Sequence, residues 1–219
     1  MNKYYPIFLN IKEKKCLVIG GGSVAYRKAV HLVRSGARVM VIAPSVTGAL
    51  RRLRQQGRIE LRERTYRPSD LDGVYLVCAA TDNSSLNRQI FHDTRSGHAL
   101  VNVVDAPEYC DFIMPAVIRR NKVTIAISTD GSAPYAAVLI KERIDEMMNP
   151  EYMKLMDILI KVRSRLLRIK KGGVDVDIER EMRRLSLGRL SRNIHENDVK
   201  SIKRYTDSFV TSCVRDRRV

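Results

Sequence analysis

The sequence has no tryptophan, and aromatic residues make up only 6% of its 219 positions. Its basic tail therefore lacks the interleaved aromatics on which nucleic-acid bases stack. The four cysteines, at 16, 78, 110 and 213, are scattered, which excludes the paired spacings of zinc sites and disulfide frameworks; they read as free thiols, with Cys16 and Cys78 inside apolar strands. No stretch approaches the roughly 18 uninterrupted apolar residues of a membrane span, and the opening MNKYYPIF has no signal-peptide pattern. A cytoplasmic protein is expected. Acidic residues are also in short supply, 24 against 40 Lys and Arg, for a formal charge of +16. Such an excess calls for an acidic partner, whether nucleic acid, anionic lipid or a polyanionic small molecule.

What is present is a folded chain, 44% hydrophobic, long enough for one good core and a smaller appended unit. Short apolar runs alternate with helical patterns in its first half. CLVIG (16–20), RVMVIA (38–43), VYLVCAA (74–80) and LVNVV (100–104) read as buried strands, with IELRE (59–63) as a short alternating one. Helices are expected over 25–35, 46–56 and about 84–96. Continuous apolar strands alternating with helices imply a doubly wound parallel sheet, a Rossmann-like α/β domain. Residues 112–129 then offer two β-rich stretches around a polar RRNK turn, a hairpin. A helix follows, with Ser132 near its start and Pro134 early in it, and runs to about Met148 before Asn149 and Pro150. From 151 onward only helical stretches occur, YMKLMDILIKVRSRLLRI, IEREMRRLSL and NDVKSIKRYTDSFV, and the whole tail from 151 carries about +8 of the charge. The expected division is 1–112, 113–149 and 150–219.

LVIGGGSVAYRKAV (17–30) places Gly20, Gly22 and Ala25 between a strand and a helix. In this G-x-G-x-x-G/A pattern the first glycine makes the turn, the second admits a pyrophosphate to the backbone, and the small third residue lets helix and strand pack closely. The helix N-terminus adds free N–H groups and a positive dipole end. The competing reading is a glycine turn without a ligand. The second strand ends IAPS rather than in the acidic residue that often holds the ribose hydroxyls, so NAD and NADP both stay open. Asp105 follows LVNVV at the carboxyl end of a parallel strand, where open α/β sheets keep their ligand crevice. A partly buried carboxylate there suits a general base; a turn-forming aspartate before Ala106-Pro107 is the alternative. STDGSAP (128–134) either binds an anion or caps the following helix. His31, His92, His98 and His195 do not cluster, and no side chains show the spacing of a dedicated metal site.

Taken together, YPIFLNIKEKKCLVIGGGSVAYRKA, SGARVMVIAP, CAATDNSSLN, VNVVDAPEYCDFIMPA and VTIAISTDGSAP resemble the precorrin-2 dehydrogenases of siroheme synthesis, stand-alone or as part of larger siroheme synthases, over roughly residues 4–145. The resemblance implies NAD-dependent oxidation of precorrin-2 to sirohydrochlorin. That substrate is a tetrapyrrole with eight carboxylic acid side chains, the polyanion that the charge asks for; in some members the same site inserts ferrous iron. It further implies that Ser23 and Val24 in the glycine turn, Pro44 and Ser45 after the second strand, and Thr81 of CAATD line the dinucleotide, and that Asp105 is the essential carboxylate. Ser128 and Thr129 are implied substrate contacts, the hairpin and long helix a dimerisation region, and the tail a small helical domain, in a homodimer. Arg119, Arg120 and Lys141 are candidate carboxylate contacts. The methyltransferase module of the longer synthases is expected to be absent. Asp130 and Ala133 depart from the family's glycine and serine. Neither nucleic acid nor a membrane is an expected partner. The alternative function is a regulatory domain that senses NAD without chemistry.

Overall fold

Four short apolar runs containing β-branched residues and a shorter Glu-Leu-Arg run assemble into one parallel sheet. The computed structural model describes residues 4–185, 187–196 and 198–215. The strands are β1 (Lys15–Ile19), β2 (Arg38–Ile42), β3 (Glu60–Arg62), β4 (Leu76–Ala79) and β5 (Leu100–Val103), in the order β3-β2-β1-β4-β5. Chain order reverses at β1, so a crevice opens at the carboxyl ends of β1 and β4, where this architecture holds its ligands.

Three helices cover the sheet: α1 (Ser23–Arg34), α2 (Gly48–Gln55) and α3 (Ser84–Thr94). The two-residue strand period divides the core between the faces. Cys16 and Val18 pack with Ala25, Ala29 and Leu50 on one side, while Leu17 and Ile19 pack with Val77 and Ile90 on the other. Both faces being covered explains why the central strands β1, β2 and β4 read as near-continuous apolar runs, while β3 at the edge alternates. α1 starts two residues earlier than its apolar pattern indicates, because Gly22 serves as N-cap in extended backbone (φ −84°, ψ −171°) without a capping side chain. At its other end Gly36, at φ 80°, lets the chain turn into β2.

The chain divides into two compact units, one running up to Met114 and including Asp130–Ser132, the other made of Pro115–Thr129 and the chain from Ala133. The second begins with the antiparallel hairpin β6 (Ala116–Arg120) and β7 (Val123–Ile127), turned at Asn121 with φ 50°. α4 (Pro134–Met147) follows, with proline in its first turn. Asn149 does more than end α4: its side chain accepts the Tyr152 N–H at 2.8 Å and starts α5 (Pro150–Lys171). Beyond α5 lie α6 (Ile178–Arg184), α7 (Leu187–His195) and α8 (Val199–Arg215). The stretch IEREMRRLSL does not form one helix, since α6 stops at Arg184 and α7 begins at Leu187. Two small cores serve these helices, one around Leu155, Leu190 and Ile202 and one around Val162, Leu166 and Val210. Among the described residues no helix is long and apolar enough to cross a membrane.

Candidate functional site: the carboxyl ends of the parallel strands

The glycine turn is fastened on both sides. The Gly20 N–H donates to Ile42 O at 2.9 Å, the Ala80 N–H to Ile19 O at 2.7 Å, and the Thr47 N–H to Gly21 O at 2.9 Å. The three glycines have different reasons to be glycine. Gly20 has φ 130°, and a Cβ on it would lie 2.1 Å from Ala80 O. A Cβ on Gly21 would fall 1.8 Å from Ser45 O, so this residue lets the turn press against the loop after β2. A Cβ on Gly22 would meet no atom within 4 Å. That open space lies at the N-terminus of α1, which has no side-chain cap and no acidic residue in its first turn. Bare amide donors, the positive dipole end and room for close approach fit a dinucleotide pyrophosphate. Ala25 is fully buried against the sheet, and Ser23, Pro44 and Ser45 are exposed around the turn with Val24 half-buried.

Thr81 stands after β4, between the glycine turn and Asp105. Its hydroxyl donates to Asn87 Oδ1 at 2.7 Å and accepts the Asn83 N–H at 3.2 Å, while Asn87 Nδ2 donates to Thr81 O at 3.0 Å. With Asn83 accepting the Leu86 N–H at 3.0 Å, the TDNSSLN stretch forms a polar start to α3, and the Thr81 side chain is part of that cap.

Asp105 is in the turn just past β5, at φ 57°, a left-handed conformation that Asp tolerates better than most residues. It is exposed, and its carboxylate has no partner among the described residues. β1 and β5 flank β4, which puts the Asp105 turn roughly 10 Å from the glycine turn at the usual strand spacing. A cavity of about 440 Å³ opens at the other end of the sheet, beside Gly73 and Val74 before β4 and His98 and Ala99 before β5.

In the second unit, Ser128 is exposed and Thr129 half-buried, just beyond β7. Thr129 Oγ1 accepts the Ala133 N–H at 3.3 Å, so its hydroxyl helps begin α4. Asp130 has φ 52° and Gly131 φ 81°. This explains how aspartate can stand where the family favours glycine, because the position requires a left-handed backbone and Asp is among the few other residues that adopt it. Of the three candidate cations, Arg120 is paired with Asp145 at 2.7 Å, Arg119 is exposed and Lys141 half-buried.

Sequence reasoning passes over one group beside the site. Asn102, only 6% exposed within β5, accepts from Lys28 Nζ at 2.6 Å and donates to Phe112 O at 2.9 Å. An asparagine in the middle of an otherwise apolar strand is the signal that could have revealed it. Cys16 and Cys78 are inert by contrast: burial pushes their thiols up to about 11 and about 12, Lys28 slightly opposing the rise at Cys78. Among the described residues no three His, Cys, Asp or Glu side chains form a group able to hold a metal ion.

A sequence model for a family described as "Putative NAD(P)-binding" matches residues 7–116. The chain is 40% identical to the siroheme synthase of Nitrosococcus oceani over 164 residues, 75% of this chain and 35% of that protein. It is 43% identical to the siroheme synthase of Photorhabdus laumondii over 145 residues, 66% of this chain and 31% of that protein. It thus spans about a third of the length of these curated relatives. A solved structure titled "SirC, precorrin-2 dehydrogenase" superposes with a TM-score of 0.70 at 22% identity, covering 94% of this chain and 98% of that one; it shares the fold. The matched residues carry the glycine turn with its open phosphate approach, at the switch point of a five-stranded parallel sheet, and the chain belongs to this NAD(P)-binding family.

Proposed function

We propose that the protein is an NAD-dependent dehydrogenase that oxidises precorrin-2 to sirohydrochlorin. The observation that carries this reading is a free, exposed carboxylate, Asp105, on the same crevice as a glycine turn built for a dinucleotide. The relatives named siroheme synthase and the fold shared with a precorrin-2 dehydrogenase supply the chemistry that joins the two. When bound, the nicotinamide supplies the hydride acceptor. The α1 amides and Gly22 hold the pyrophosphate, and the exposed Pro44–Ser45 segment flanks the ribose. Asp105 takes the proton that leaves the macrocycle when the hydride does and, being exposed, returns it to water. The +16 charge of the chain favours arrival of a polycarboxylate, and Ser128 and Thr129 are proposed to contact it.

We further propose a homodimer. Tyr135, Val138, Leu139 and Met147 of α4 are 74, 42, 45 and 72% exposed, an apolar surface of the kind that a partner covers. A cytoplasmic setting suits four free thiols. Ferrous iron enters the proposal as a substrate of the same crevice, with Asp105 assisting loss of the pyrrole protons.

The test is an anaerobic assay with precorrin-2 and NAD, following NADH and sirohydrochlorin absorbance, then adding ferrous iron. NAD-dependent turnover that falls about 10²- to 10⁴-fold in Asp105→Asn is expected. Activity of that variant within threefold of wild type returns Asp105 to a turn-former. NAD binding without turnover makes the protein a sensor, and no acceleration by the enzyme after iron addition removes the chelatase step.

A further inference from the structure

The loop that carries Asp105 is tied to β5 by side chains standing where a neighbouring strand would be. Leu100 and Val104 direct their N–H groups to Tyr75 O and Ala79 O, each at 3.0 Å. In a strand the intervening residues then point the other way, so the backbone of Val101 and Val103 faces outward. All four outward groups find partners in two consecutive residues. The Asp111 N–H donates to Val101 O at 2.8 Å and the Val101 N–H to Asp111 Oδ2 at 2.9 Å. The Val103 N–H donates to Cys110 Sγ at 3.2 Å, and the Cys110 thiol faces Val103 O at 3.2 Å and Ala106 O at 3.4 Å.

The neighbouring contacts tighten this arrangement. Asn102 joins Phe112 O to the ammonium of Lys28 in α1, the helix that starts at the glycine turn. Arg95 grips both carboxylate oxygens of Asp111, at 2.6 and 3.1 Å. Burial works against the ionised form of Asp111, yet Arg95 and the Val101 N–H hold its carboxyl below the ordinary carboxylate value. Tyr109 packs against Phe91 at a tilt of 45°, with ring centres 4.9 Å apart. The segment between these anchors, Val104–Tyr109, holds Asp105 in its left-handed conformation. The Asp105 carboxylate has no partner of its own among the described residues, so its direction is set by how the loop is held.

We propose that Asn102, Cys110 and Asp111 are positioning residues for Asp105, closing its loop onto β5 and aiming the carboxylate into the crevice. The proposal rests on the reading of Asp105 as the acting group. A displacement of about 1 Å at a reacting group can cost about 100-fold in rate. Cys110→Ala and Asp111→Ala should each lower kcat by about 10- to 100-fold with NAD affinity unchanged, because neither residue touches the glycine turn. Cys110→Ser should recover to within about threefold, since a hydroxyl also donates and accepts.

The deciding measurement is a double-mutant cycle with Asp105→Asn. Adding Cys110→Ala or Asp111→Ala to Asp105→Asn should change the residual rate by less than about twofold. An equal loss in both backgrounds, or none in the parent, overturns the proposal. Amide exchange of Val101 and Val103 supplies a readout independent of activity: faster exchange in the corresponding variants is expected, and unchanged protection overturns the clamp. Should Asp105→Asn keep the parent rate, the reading of Asp105 fails on that single variant and the proposal falls with it. That outcome is distinct from an inactive Asp105→Asn beside fully active Cys110→Ala and Asp111→Ala variants, in which the clamp alone fails.

Discussion

Gly21 and Gly22 are adjacent and chemically identical, and the structure predicts opposite consequences for replacing them with alanine. A Cβ on Gly21 would sit 1.8 Å from Ser45 O, 2.8 Å from Ser45 C and 3.0 Å from Val46 Cα. All three are backbone atoms, so no side chain can swing aside. Reaching ordinary contact, about 3.5 Å, moves the glycine turn and the loop after β2 apart by more than about 1 Å. The Thr47 N–H to Gly21 O bond, now 2.9 Å, is then lost. Overpacking of about 1–3 kcal/mol and a backbone hydrogen bond of about 1 kcal/mol give a loss of about 2–4 kcal/mol. For a chain of this size, that lowers Tm by roughly 5–15 °C. On Gly22 the same methyl meets nothing within 4 Å, and alanine in place of glycine at an N-cap costs less than about 1 kcal/mol. The methyl does occupy the space through which a phosphate reaches the α1 amides. Gly22→Ala should therefore keep Tm within about 4 °C of wild type and weaken NAD at least about tenfold, or 1.4 kcal/mol. Circular dichroism melts paired with calorimetric NAD titration separate the two effects. Wild-type NAD affinity in Gly22→Ala refutes the phosphate placement, and a wild-type melt for Gly21→Ala refutes the packing argument.

Two further outcomes follow from the first unit. Asp70 is buried and accepts from Arg64 Nη1 and the Arg67 N–H, each at 2.8 Å; the Arg64 hydrogen bond lowers its carboxyl despite burial. A lowered folded value means that the stabilisation is present above the unfolded carboxylate range, near pH 4, and is lost as pH falls through the folded value. Urea melts between pH 2 and 6 should show a shallower acid decline in Asp70→Asn, and a decline parallel to wild type contradicts the assignment. Cys16 and Cys78, with thiols near 11 and 12, should resist a thiol-specific disulfide reagent at pH 8 until the protein is unfolded in guanidinium; rapid native labelling of a Cys16→Ser, Cys110→Ser, Cys213→Ser variant would show Cys78 to be accessible.

The parallel sheet was legible because covering it on both faces leaves the buried stretches of β1, β2 and β4 continuously apolar, and β5 apolar but for Asn102, a pattern visible residue by residue. Boundaries set by backbone alone were less so: Gly22 caps α1 through its conformation, and nothing in its composition fixes the start at Ser23 rather than Ala25. The glycine turn and the strand-end Asp105 could be found from spacing. That Gly21 must admit the Ser45 carbonyl could not, since the contact joins two loops more than twenty residues apart. The ties of Cys110 and Asp111 to β5 were hidden for the same reason, each residue reading as an ordinary loop position. Asp130 shows the converse, a departure from the family pattern that becomes understandable only once its φ of 52° is known.

The ties along β5 also decide where the sheet stops. A sixth strand would have to bond to the outward N–H and C=O groups of Val101 and Val103, and those are already taken by Asp111 and Cys110. Exposed edges are the usual route by which sheets recruit stray chains and grow into aggregates. Here the residues that hold the Asp105 loop also close that route, so loosening the loop would create a sticky edge as well as a misdirected carboxylate.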